Sequence, residues 1–313
     1  MRHVHPRPFG PKWRGRWIWF QPPAIVTETA TRPVLEDPTA TIGLLRRTVH
    51  LATVPTNAPA RLWTDGRHLL RVNGVEVARG PVRSDPRRPH YDVVDLAPHL
   101  RPGENVLALT VRHFGTATSW WMAAPPTYTL GAGCVAFEAQ IGDEWIVSDA
   151  EWRACPGDAW AAVAVPGDVA CLPLESFDAR RHPHGWDLPG FDDLDWTAAT
   201  EITPMHTGAS SEPRPSSDPF GMLRPPVRRS MPGGERHRAV ATASRSVTGG
   251  DPVADPVRQV LVDERSAPGD SAVVVSLDLG RIAAGTVEID LRDAVAGTTI
   301  DLAAAEHLDD DGN

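Results

Sequence analysis

From about Ile42 to Ile146, apolar side chains fall on every second position, the period of a strand with one face buried. Leu62 and Thr64, Leu70 and Val72, and then Val135, Phe137, Ala139 and Ile141 carry the alternation. In HLLRVNGVEVARG, Asn73 and Gly74 separate two apolar runs, and this dipeptide best tolerates the positive φ angles of a type I′ turn. A tight hairpin is predicted there. The stretch NVLALTVRHFG, Asn105 to Gly115, is apolar on both phases of the alternation, as a central strand covered on both sides would be.

The periodicity lapses between roughly Thr203 and Asp270, where Pro213, Pro215, Pro219, Pro225, Pro226 and Pro232 interrupt regular structure. It resumes in VVVSLDLG (Val273 to Gly280), TVEIDL (Thr286 to Leu291) and TIDLAAAE (Thr299 to Glu306). The pattern predicts a β-sandwich domain over 1–202, a Pro/Gly-rich linker or wrapping connection over 203–270, and an incomplete second β-sandwich over 271–313. Three strands in some forty residues bury too little to stand as a two-sheet core, so the second module is expected to be cut short.

Composition agrees with an all-β chain. With 31 Pro and 26 Gly in 313 residues, turn-formers are dense enough to favour short strands over long helices. A net charge of −9 offers no basic face for nucleic acid or an anionic membrane, so neither is an expected partner. Cys134, Cys155 and Cys171 are odd in number and lack C-x-x-C spacing, which points to free thiols rather than disulfides or zinc. The first twenty residues hold no apolar signal-peptide core, and the longest apolar run, Ala159 to Val165, is far short of the ~20 residues that span a bilayer. A cytoplasmic protein is the resulting expectation.

Several stretches, taken in order, resemble the front part of family 78 glycoside hydrolases, the α-L-rhamnosidases and their relatives. They are WIWF (Trp17 to Phe20), LLRRTVHL, and the long run TDGRHLLRVNGVEVARGPVRSDPRRPHYDVVDLAPHLRPGENVLALTV, then ESFDARRHPHGWDLPGFDDLDW (Glu175 to Trp196) and SLDLGRIAAGTVEIDL with GTTIDLAAAEHLDDDG. The resemblance implies a galactose-binding-like jelly-roll β-sandwich followed by a linker and the start of a second β-sandwich. It also implies catalytic carboxylates in an (α/α)₆ barrel C-terminal to these modules, so no catalytic residue carries over to this chain. The expected role is a non-catalytic, accessory region, inactive alone and partnered by that barrel. The alternative is a free-standing carbohydrate-binding or protein-interaction module.

Candidate chemistry is sparse. Asp187, Asp192, Asp193 and Asp195 lie in a Gly/Pro-rich segment and read as turn-formers. The LDDDG stretch at Leu308 lacks the spacing of a calcium loop, and His182 and His184 have no third ligand at metal spacing. No nucleophile elbow or phosphate loop is present, and no cofactor is implied. For a rhamnose-containing glycoside the candidates are Trp120 and Trp121 in GTATSWWMAAPP, because an indole face stacks on the C–H face of a pyranose. Arg79, Arg83 and Asp85 in ARGPVRSD would hold its hydroxyls. Against that, tryptophans in β-sandwiches more often serve core or interdomain packing.

Overall fold

In a computed structural model of the chain, the described residues are 9, 13–21, 25–29, 32–35, 41–81, 91–113, 133–163, 174–202, 240–246, 273–278, 295–300 and 302. The chain divides into two compact units, Met1–Arg228 and Arg229–Asn313. Numbered along the chain, the first strands are β1 (Trp17–Trp19), β2 (Ile25–Thr29), β3 (Arg32–Leu35), β4 (Thr41–Leu51), β5 (Pro59–Thr64), β6 (Arg67–Val72) and β7 (Val75–Gly80). Next come β8 (Asp92–Asp95), β9 (Gly103–His113), β10 (Val135–Ile141), β11 (Glu144–Val147), β12 (Arg153–Pro156), β13 (Trp160–Val163) and β14 (Leu174–Phe177). The short β15 (Thr197–Ala198) and β16 (Thr200–Ile202) follow, and β17 (Val240–Ser246) and β18 (Val273–Asp278) belong to the second unit.

The first unit is a β-sandwich of two six-stranded sheets. One runs β16-β1-β10-β5-β8 with β11 paired to β10, and the other runs β15-β12-β4-β9-β6-β7, all antiparallel. The second sheet is built around the pairing of β4 with β9, continuous from Thr41 opposite His113 to Leu51 opposite Gly103. The hairpin read at Asn73-Gly74 is present: φ is +52° at Asn73 and +80° at Gly74, and Val72 pairs with Val75. Asn73 also ties the turn to β9. Its side-chain amide donates to His99 O at 3.0 Å and to Asn105 Oδ1 at 2.9 Å, and its Oδ1 accepts from Val106 N at 3.0 Å.

The alternation sorts side chains into three layers. Ile18, Leu62, Val135, Phe137 and Ala139 from the first sheet meet Leu45, Leu70, Val72, Leu107, Leu109 and Val111 from the second in the central core. The outward phase of β4 and β9 (Leu44, Val106 and Ala108) is covered by Trp186 with Trp160, Phe191 and Trp196 against it. That cover explains why β9 is apolar on both phases. The outward phase of β5 and β10 is covered as well, by Trp13 and Trp17 packed with Trp63, Tyr91, Cys134 and Ala136. Here the structure differs from the one-sided burial expected for these strands, because the N-terminal tryptophans roof the sheet's second face.

In the second unit, β17 and β18 form an antiparallel pair with an irregularity between Ala241 and Ala243. Val240–Ser246 thus forms a strand inside the segment read as connection, where flanking prolines hide a seven-residue extended run. Of the other two strands expected there, Thr286 to Leu291 lies outside the described residues, and Thr299 and Ile300 are not in a strand.

Candidate carbohydrate-contact site

The turn Thr64–His68 joins β5 of one sheet to β6 of the other. Its Asp65-Gly66 pair permits the reversal: Gly66 has φ +131°, and a Cβ there would collide with the carbonyl oxygen of Arg112. Around this turn the fold gathers polar side chains that alternation would have placed in the core. Thr64 Oγ1 lies 3.1 Å from His68 Nδ1, His68 Nε2 lies 3.3 Å from Asp92 Oδ2, and His113 Nε2 lies 3.7 Å from Asp65 Oδ2. Thr64, Asp65, His68 and His113 are all buried. Arg67 donates to Pro81 O at 2.5 Å, and Asp65 N donates to Cys134 O at 3.1 Å. Gly80 is required by close approach, since a Cβ would strike the Asp92 carboxylate.

This arrangement bears on the candidate sugar contacts. The segment 82–90 leaves at Pro81 and re-enters at Tyr91, and the segment 114–132 leaves at His113 and re-enters at Gly133. Those four anchor points flank the same turn: Pro81 through Arg67, Asp92 through His68, His113 through Asp65, and Cys134 through the Asp65 amide. Arg83 and Asp85 belong to the first segment and Trp120 and Trp121 to the second, and all four lie outside the described residues. Arg79 is described. It sits exposed on β7, an edge strand, and makes two contacts to Glu76, Nε to Oε1 at 2.6 Å and Nη2 to Oε2 at 2.8 Å.

Two further clusters escaped sequence reasoning. Arg61 and Glu138, opposite each other on β5 and β10, form a buried ion pair, with Arg61 Nη2 2.8 Å and Nε 2.9 Å from Glu138 Oε1. The Arg61 guanidinium lies 4.2 Å from the Trp13 ring centroid and 5.4 Å from that of Tyr91. The matching charges at alternate positions of paired strands were the available signal. The second is the aromatic group Trp160, Phe177, His182 and His184 on the outer side of the other sheet, described below.

Of the carboxylates read as turn-formers, Asp192 takes that part, its Oδ1 accepting from Leu194 N at 3.1 Å, whereas Asp193 pairs with Arg46 and Asp187 lies 3.7 Å from Arg71. Cys134 is buried and Cys155 half-buried, both as free thiols, while Cys171 lies outside the described residues. Burial, and then the nearby Asp158 charge, push the Cys155 thiol up to about 12. Among the described residues no group of His, Cys, Asp and Glu is arranged to hold a metal ion, and no helix is long and apolar enough to cross a membrane.

The described residues of the first unit define an antiparallel β-sandwich of two six-stranded sheets. Residues 58–228, more than half of the chain, match the family described as alpha-L-rhamnosidase N-terminal domain, and the chain belongs to that family. An α-L-rhamnosidase of Streptomyces avermitilis is 27% identical over 232 residues, which cover 72% of this chain and 18% of that protein. The crystal structure of a GH78 family rhamnosidase of Bacillus sp. GL1 is 27% identical with a TM-score of 0.50, covering 69% of this chain and 20% of the other. The chain therefore spans about a fifth of the length of the relatives it matches.

Proposed function

We propose that this chain serves as a non-catalytic accessory region of an α-L-rhamnosidase-like glycoside hydrolase, supporting the catalytic part and contacting a rhamnose-containing glycoside through 82–90 and 114–132. The domain division 1–202, 203–270 and 271–313 is part of the proposal, with 271–313 contributing to a second sandwich. The observation that carries it is what the fold does with its carboxylates. Glycoside hydrolysis takes two carboxyl groups facing one open space, one held protonated and the other ionised. Among the described residues, Glu138 is buried against Arg61, the partly exposed Asp193 pairs with the buried Arg46, and Asp65 and Asp92 each face a histidine. Asp149 is raised by partial burial, with Arg47 opposing the shift, yet its Oδ1 accepts from Glu151 N at 2.9 Å and caps a turn. These carboxylates hold the sandwich together.

Sugar contact is supported by the placement of the described residues that bound both candidate segments around one turn. Calorimetric titration of methyl α-L-rhamnopyranoside into the chain should give saturable heat in the millimolar range. Trp121→Ala and Arg83→Ala should each lower it. No saturable heat up to ~100 mM, or full binding by both variants, would sink the sugar-contact half of the proposal.

A further inference from the structure

The outer side of the sheet β15-β12-β4-β9-β6-β7 carries an aromatic group that the proposed function leaves unused. Trp160 packs inward beside Ile42 and Gly157, and from it the cluster steps toward solvent. Phe177, 49% exposed, lies 4.8 Å from Trp160 between ring centroids. The His182 ring stands edge-on at 5.3 Å from Trp160 and 5.5 Å from Phe177, and His184 follows 5.3 Å from His182. A phenyl ring left half in water over a sheet that already has an aromatic roof is unneeded for the core.

The segment bearing these rings is held by its own hydrogen bonds. Asp178 N donates to Ala159 O at 2.8 Å, and the Asp178 carboxylate accepts from Arg180 N at 3.1 Å at the start of the 3₁₀ turn Ala179–Arg181. His182 N donates to Ala179 O at 3.2 Å, and His184 N to His182 O at 2.8 Å. His184 Nε2 lies 2.9 Å from Ala179 O, and because a carbonyl only accepts, that nitrogen carries the proton. In the neutral ring His184 Nδ1 is then an acceptor. His182 Nδ1 is buried with no hydrogen-bond partner among the described residues.

Two of the cations at this surface are paired. Arg180 makes two contacts of 2.8 Å to Asp178, and Arg71 faces Asp187 at 3.7 Å. Burial, then the neighbouring His184, lower the His182 imidazole from its ordinary value, so it is neutral at pH 7. Arg181, on the same 3₁₀ turn, is exposed and has no ion pair among the described residues, which is why a phosphate control is needed. What is offered is a preformed aromatic face, the exposed His184 imidazole beside it, and a flanking ion pair, which together suit a ring apolar on one face and rich in hydroxyls on its rim.

We infer that Phe177, Trp160, His182 and His184 form a second carbohydrate-binding platform, for a neutral pyranoside, on the sandwich face roofed by residues 177–196. This site does not rest on the contacts proposed at 82–90 and 114–132. It is tested by following the imidazole Cε1–H signals of His182 and His184 in the full chain by NMR, assigned with His182→Gln and His184→Gln. The probes are methyl α-L-rhamnopyranoside, methyl β-D-galactopyranoside and, as a charged control, sodium phosphate.

At least one pyranoside should move both signals saturably, equally in wild type and in Trp121→Ala, and not at all in Phe177→Ala. Phe177 is half in solvent, so Phe177→Ala should leave the unfolding midpoint nearly unchanged; Phe177→Leu, which keeps the volume without the ring, serves as the second variant. Signals unmoved by either pyranoside up to ~100 mM would overturn the inference. So would shifts with phosphate alone, shifts that persist in both Phe177 variants, or shifts lost in Trp121→Ala. A lowered calorimetric heat in Trp121→Ala with these shifts intact would leave both sites standing.

Discussion

Arg61 and Glu138 place two opposite charges where neither reaches water. Transfer of either ion alone into the sandwich costs several kcal/mol, and the pair is tolerable because the geometry is close and Glu138 Oε2 also accepts from Arg14 N at 2.7 Å. Truncating one partner leaves the other charge buried and unpaired. Glu138→Ala should therefore lower unfolding stability by about 3–5 kcal/mol, whereas the apolar double variant Arg61→Met with Glu138→Leu should cost clearly less. Denaturant unfolding of the three proteins decides it, and equal losses would contradict the ion-pair account. At the same scale, a Cys155 pKa of about 12 leaves little thiolate at pH 8. Iodoacetamide should alkylate Cys155, in a Cys171→Ser background, tens of fold more slowly than an ordinary exposed thiol. Ordinary reactivity would show the thiol is not buried as described.

At the scale of elements, the hairpin β6-β7 was legible because the sequence states its turn chemistry outright in Asn73-Gly74. The further use of the Asn73 side chain, bonding across to Asn105 and Val106 on β9, depends on a partner more than thirty residues away and has no local signature. The turn at Asp65-Gly66 was not read from the sequence, and Gly66→Ala should destabilise by ~3 kcal/mol or more, since the φ is unfavourable and the Cβ meets backbone rather than a movable side chain. A melting temperature within a degree of wild type would refute that. The segment 177–196 was not legible as a sheet cover, because it roofs the sheet with irregular backbone and a few aromatics rather than a periodic face. Its His182 is lowered in the folded state by burial and then by His184, and by Arg71, with Asp187 opposing. The folded chain therefore resists protonation there, so stability is full above the unfolded value near 6.5 and falls as pH drops toward the lower folded value. The melting temperature should fall between pH 7.5 and 5.5, and His182→Asn should reduce that slope; an unaltered slope would contradict the assignment.

For the whole molecule, period-two alternation with dense Pro and Gly sufficed to read an all-β chain, and the ordered motifs carried the resemblance that the family match over 58–228 bears out. The layering beyond the central core was not readable, because cover of an outer face comes from segments distant in sequence: Trp13 and Trp17 over β5 and β10, and Trp186 over β4 and β9. Of the candidate sugar contacts, Arg79 is placed on an exposed edge strand beside Glu76, and the anchors of the segments bearing Arg83, Asp85, Trp120 and Trp121 share one turn. Among the described residues, Glu138, Asp193, Asp65 and Asp92 are committed to partners within the sandwich. The most direct test is hydrolysis of p-nitrophenyl α-L-rhamnopyranoside by the purified chain, followed as p-nitrophenolate release. The account predicts no rate above the uncatalysed blank, and saturable turnover that scales with the concentration of the chain would contradict it.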